Sequence, residues 1–113
     1  MSEARTTACA EIVERNLPAI AELCRCFGVR RLDLFGSAAT GRFDPERSDL
    51  DFLVEFQPMP MRAYAQAHAG LHQRLEELFA RAIDLLTDSA LENPYLRRQI
   101  ESEKITLFRR DDQ

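Results

Sequence analysis

A chain of 113 residues is long enough to bury one hydrophobic core and short for two, so a single domain covering residues 1–113 is expected. A composition of 45% hydrophobic and 30% charged residues excludes the disordered and membrane-embedded classes and fits a domain that folds unaided. Fifteen basic against nineteen acidic residues give a formal net charge of -4, which argues against a broad cationic face for nucleic acid while leaving room for a small basic cradle.

The opening MSEARTTACAEIVERN has acidic residues where a signal peptide needs an apolar run, and no segment approaches the apolar length that spans a bilayer. The cytoplasm is the expected compartment. Ala8 to Arg15 can form a short helix. Pro18 then suits the first turn of a second helix, whose Ile20, Leu23, Cys24 and Phe27 recur on one face before Gly28 ends it. Arg31 to Phe35 alternates polar and apolar residues, and Leu50 to Phe56 is a nearly continuous apolar run broken by Asp51 and Glu55; both read as strands. From Arg62 to Phe79, Ala67, Leu71, Leu75 and Leu78 keep helical spacing. After Arg81 the pattern changes to the apolar run Ile83 to Thr87, a third strand. Asn93-Pro94 reads as a cap and first-turn proline of a helix through Glu103, and Ile105 to Phe108 adds a short edge strand. The sum is an α/β (α+β) domain, a small mixed sheet flanked by helices. Cys9, Cys24 and Cys26 are odd in number, and the lone C-x-C pair lacks the partners of a zinc site, so reduced, mostly buried thiols are expected.

The chemistry concentrates in LFGSAATGRFDPERSDLDFLVEF. Side chains two apart on a strand share a face, so Asp49 and Asp51 present two carboxylates together while Leu50 and Phe52 point the other way. Two adjacent anions repel unless a cation joins them. Hard divalent ions such as Mg²⁺ take oxygen ligands and often keep substrate phosphates in their coordination sphere, which makes paired aspartates a platform for phosphoryl transfer. Gly36-Ser37 precedes them, directly after a strand and before the small residues Ala38, Ala39 and Thr40. A strand-to-helix turn there would aim backbone N–H groups at a phosphate, with Ser37 adding a hydroxyl donor.

Taken singly, a D-x-D pair is often a solvated strand end and a Gly-Ser pair is usually a turn. Their ordered combination, running straight into Phe52-Leu53-Val54, is not what simple surface polarity produces. A third carboxylate, Asp84, interrupts Ile83-Asp84-Leu85-Leu86. A lone charge in a buried strand is costly unless paired or bound to metal, which favours a place beside the other two; the plainer reading is a strand-end Asp facing water.

Gly36, Ser37, Asp49, Asp51 and Asp84 together resemble the signature of the minimal nucleotidyltransferases of the DNA polymerase β superfamily, in particular those paired with HEPN-domain proteins in bacterial and archaeal toxin–antitoxin modules. The likeness runs from about Leu17 to Phe108. It implies a polymerase β-like nucleotidyltransferase fold in which Asp49, Asp51 and Asp84 hold two Mg²⁺ ions and serve catalysis. Gly36 and Ser37 would contact a nucleoside triphosphate, and a nucleoside monophosphate would pass to an acceptor hydroxyl. It further implies ATP as donor and a tyrosine of a HEPN-domain toxin as acceptor, hence an enzyme acting as an antitoxin. Two departures stand out. Eleven residues, Ala38 to Ser48, separate Ser37 from Asp49, one more than the common spacing, and the extra residue falls around Phe43-Asp44-Pro45. Thr40 occupies a place where Arg is frequent, a departure at one phosphate or acceptor contact.

Other residues carry weaker signals. His68 and His72 have the i, i+4 spacing of a zinc pair but lack the H-E-x-x-H glutamate and a third ligand. Arg42 and Arg47 could neutralise a triphosphate or simply be solvated. Asp33 and Glu55 are read as structural, and Arg97, Arg98, Arg109 and Arg110 as a locally basic face with no assigned role. So short a chain has no separate acceptor-binding domain, so the acceptor surface is expected on another protein. Rival functions are a non-catalytic antitoxin acting by occlusion, and transfer to a small molecule or an RNA 3′ end; the acidic balance disfavours RNA. The sequence leaves homo-oligomerisation open.

Overall fold

The computed structural model describes residues 12–36, 50–87 and 92–110. After helical residues 12–15, the elements are α1 (Leu17–Cys26), β1 (Val29–Phe35), β2 (Leu50–Phe56), α2 (Met61–Phe79), β3 (Ile83–Thr87), α3 (Pro94–Glu103) and β4 (Ile105–Arg109). The expected helix from Ala8 therefore lies partly outside the described residues. Pro18 falls in the first turn of α1, where its missing N–H costs no hydrogen bond. Gly28, at φ +71°, turns the chain from α1 into β1 in a conformation that side chains disfavour. Asn93 caps α3 as expected: its side chain accepts from the backbone N–H groups of Tyr95 and Leu96.

The strands form one sheet in the order β3-β2-β1-β4. β2 and β3 run parallel, joined by α2 as a crossover, whereas β1 is antiparallel to both β2 and β4. The mixed sheet expected from the sequence is thus present. One face carries Leu32, Leu34, Leu50, Phe52, Val54, Ile83 and Leu85 into the main core, against Ile20 and Cys24 of α1 and Ala67, Leu71, Leu75 and Phe79 of α2. Phe52, Leu71 and Leu75 are fully buried, and each such side chain contributes about 1.5–3 kcal/mol through burial. The opposite face holds a smaller cluster, in which Ile100 of α3 packs on Leu53 with Leu96, Phe35 and Leu86 around them. Cys24 is buried but Cys26 is exposed, so the expectation of mostly buried thiols holds for the first and not for the second, while Cys9 lies outside the described residues. The reason is geometric: two residues along a helix is about 200° of rotation, so both cannot face the core.

Candidate active site

The α3 side of the sheet carries the carboxylates. Along β2 the residues Leu50, Phe52 and Val54 enter the main core, which directs Asp51 and Leu53 to the opposite face. In the parallel register Asp51 is the direct partner of Asp84, and Leu53 of Leu86. Asp51 and Asp84 therefore stand side by side on neighbouring strands, whose backbones are about 4.8 Å apart. Asp51 is half-buried and Asp84 exposed. The premise that Asp84 is a charge sunk in a buried strand is thus corrected, because its face of β3 opens to water. Its place beside Asp51 comes from strand pairing instead.

Gly36 completes this corner. It follows β1 directly, where Phe35 pairs with Asp51 across the antiparallel ladder. Its φ of +78° lies in the left-handed region, and a Cβ built on it would collide with Oδ2 of Asp51 and sit 3.2 Å from Cγ. Only glycine lets the Asp51 carboxylate lie against this turn. Both Gly36 and Asp51 have polar partners in the fold. Of the five residues singled out in the sequence, Gly36, Asp51 and Asp84 are brought together, while Ser37 and Asp49 lie outside the described residues, as do Thr40, Arg42 and Arg47.

Two features have partners that the sequence does not show. Asp33, next inward from Phe35 on the same face of β1, is 1% exposed and the only buried charged residue among those described. Its Oδ1 accepts from Thr106 Oγ1 at 2.8 Å and Arg31 Nε at 3.1 Å, and Lys104 Nζ lies 3.8 Å from Oδ2. The carboxylate thus ties β1 to the start of β4 and the end of α3. The second feature is the histidine pair of α2. His68 Nε2 donates to the Leu85 carbonyl at 3.0 Å and His72 Nε2 to the Ile83 carbonyl at 2.8 Å, on either side of Asp84 in β3. These rings serve the backbone of an edge strand that carries a candidate catalytic carboxylate. Their helical spacing was visible in sequence, but the carbonyl partners were not.

Residues 19–107 match the family model for the nucleotidyltransferase domain. The chain belongs to that family. Among curated relatives, a candidate protein adenylyltransferase of Methanocaldococcus jannaschii is 33% identical over 79 residues, covering 70% of this chain and 77% of the relative. The structure of a candidate minimal nucleotidyltransferase superposes with a TM-score of 0.70 at 35% identity, over 84% of this chain and 92% of that one. A chain from the complex of a tri-AMPylated Shewanella oneidensis HEPN toxin with an MNT antitoxin gives a TM-score of 0.60 at 20% identity, over 87% and 73% of the two chains. At that identity the likeness is one of fold. The expected polymerase β-like nucleotidyltransferase fold is therefore borne out, and the enzyme class with it. Among the described residues no helix is long and apolar enough to cross a membrane.

Proposed function

We propose that this nucleotidyltransferase moves AMP from ATP to a hydroxyl of a partner protein, and that the partner is a HEPN-domain toxin which the modification silences. The observation that carries the transfer reading is the juxtaposition of Asp51 and Asp84 in one register pair, with Gly36 held against the Asp51 carboxylate. The protein adenylyltransferase name of the archaeal relative supports a protein acceptor, and the AMPylated HEPN toxin in the fold relative supports the partner.

Two carboxylates crowded on adjacent strands, with a third at position 49 two residues before Asp51, make a hard-oxygen donor set that fits Mg²⁺. In this reading Asp49, Asp51 and Asp84 would hold two Mg²⁺ ions, which would supply neutralisation of the triphosphate and a more acidic acceptor hydroxyl. Gly36 lets the Asp51 carboxylate lie against the turn, where it would face the triphosphate, and the Ser37 hydroxyl would donate to a phosphate oxygen. The acceptor oxygen then bonds to the α-phosphorus as the bond to pyrophosphate breaks, and Asp84, the more exposed carboxylate, takes the acceptor's proton. The test is co-expression with a HEPN-domain protein and intact-mass measurement of that protein. One or more added AMP groups are expected, as is their loss when Asp51 and Asp84 are both replaced by Asn. An unmodified HEPN protein in a complex that nonetheless binds ATP would overturn the reading.

A further inference from the structure

The two outer strands of the sheet are treated differently. On β3 the carbonyls of Ile83 and Leu85 are occupied by His72 and His68 respectively. On β4 every backbone partner found among the described residues lies on the β1 side, and nothing described bonds the outer side of Ile105–Arg109. Ile105 on this strand is 48% exposed. An edge strand whose outer backbone groups have no partner among the described residues is a template for another strand.

Charge gathers at the same place. Arg109 pairs in register with Arg31, and the backbone N–H of Arg110 donates to the carbonyl of Arg30 at 2.8 Å, so two neighbouring strands bring four arginines to one corner. Arg31 is engaged by Asp33, and Arg110 Nε donates to the Val29 carbonyl at 3.4 Å. Arg30 and Arg109 are exposed and form no ion pair among the described residues. Such a concentration is unexpected on a chain of net charge -4.

We infer that the outer edge of β4 takes up an extended, acidic segment of a partner polypeptide as a fifth strand. An added strand satisfies the outward backbone groups of β4, and its carboxylates neutralise Arg30 and Arg109. Nucleic acid could use the guanidinium groups but not the backbone edge. A second copy of this chain could use the edge, but its own β4 brings further arginine rather than carboxylate. The short length of β4, its register shift opposite Leu32/Asp33 and its flanking cations guard against indiscriminate pairing, and the same cations select an acidic guest. The inference is independent of the transfer reaction.

The test fuses a Glu-Val-Glu-Val-Glu strand to the C-terminus of the full chain through a flexible Gly/Ser linker, which gives an effective concentration of about a millimolar. A Lys-Val-Lys-Val-Lys fusion is the control. Amide hydrogen exchange by NMR is expected to slow at least tenfold at the β4 amides that do not bond β1, in the acidic fusion only. In Arg30→Glu/Arg109→Glu the preference should reverse to the lysine strand, which a merely destabilised edge would not do. Equal protection by both fusions, or none, would overturn the inference. So would equal protection of the unfused chain through self-association, or tighter binding of single-stranded oligouridine than of the free acidic peptide in an anisotropy titration.

Discussion

Replacing Gly36 by Ala separates the strain of a left-handed residue from damage to the carboxylate site. An L-residue at a φ of +78° costs about 1–2 kcal/mol in backbone conformation. The new Cβ also meets Oδ2 of Asp51 and stands 3.2 Å from its Cγ and 3.4 Å from its Cβ, so the carboxylate must swing by about 1 Å to regain ordinary contact. A displacement of about 1 Å in a catalytic group lowers turnover about a hundredfold. Gly28→Ala supplies the control, because Gly28 has nearly the same φ, +71°, but its Cβ would meet only the terminal Cε of Met59 at 3.1 Å. That methyl can move. Urea unfolding should therefore show a similar loss of stability, about 1–2 kcal/mol, in both variants. Initial rates of AMP transfer to a co-purified acceptor should fall about a hundredfold in Gly36→Ala and stay within twofold of the parent in Gly28→Ala. Equal rates in the two folded variants would refute the argument that Gly36 exists to seat Asp51.

Other consequences follow from the buried polar groups. Asp33→Asn keeps a hydrogen-bond acceptor for Thr106 but strands Arg31 and Lys104, so unfolding should become easier by about 2–3 kcal/mol, measured by urea titration. His72→Leu leaves the Ile83 carbonyl without its donor and should cost about 1 kcal/mol, with no change in stability on adding zinc to the parent protein. Burial pushes the Cys24 thiol up from 9.0 to about 12, partly offset by Arg110 and Arg25, so iodoacetamide at pH 8 should label Cys26 and spare Cys24 until the chain unfolds. Because the folded thiol holds its proton above the unfolded pKa, Cys24 contributes stability that is lost as pH rises from 9 toward 12. The decline is at most about 1.4 kcal/mol per pH unit, and Cys24→Ala should remove that part of the slope.

The helices and strands were legible because their apolar spacing matches their period. Ala67, Leu71 and Leu75 face the core from α2, and Ile20 and Cys24 do so from α1, as their recurrence at four-residue steps requires. The differences have local causes. β1 begins at Val29 rather than Arg31, because the register with β2 shifts between those two residues and breaks the alternation that marks a strand. Leu78 is only half-buried while Phe79 is buried, a drift of one position at the helix end. Phe27 joins the core from beyond the end of α1 and not as part of its stripe. Asp33 was read as structural, yet its depth could not be read at all. Whether that face of β1 meets water depends on α3, whose docking through Ile100 on Leu53 is a contact between distant parts of the chain.

Asp84 was placed beside Asp51 for the wrong physical reason, and the correct reason changes what its removal should do. A charge buried without a partner would destabilise the apo fold through desolvation. An exposed carboxylate in register with Asp51 acts through repulsion instead, about 1 kcal/mol at a separation near 4 Å in water and less with salt. Asp84→Asn keeps the shape and removes one of the two charges, so without divalent ions its melting temperature should equal or slightly exceed that of the parent, most visibly at low ionic strength. Added Mg²⁺ should raise the parent's melting temperature, since a ligand bound only by the folded state stabilises it, and should raise the variant's less. Transfer should be lost while any toxin-binding surface outside the site stays intact, so a variant that still protects cells from a co-expressed toxin would establish occlusion as the protective act. A lower melting temperature for Asp84→Asn without Mg²⁺, combined with an equal response to the ion in both proteins, would show that Asp84 is a structural residue of the β3 rim.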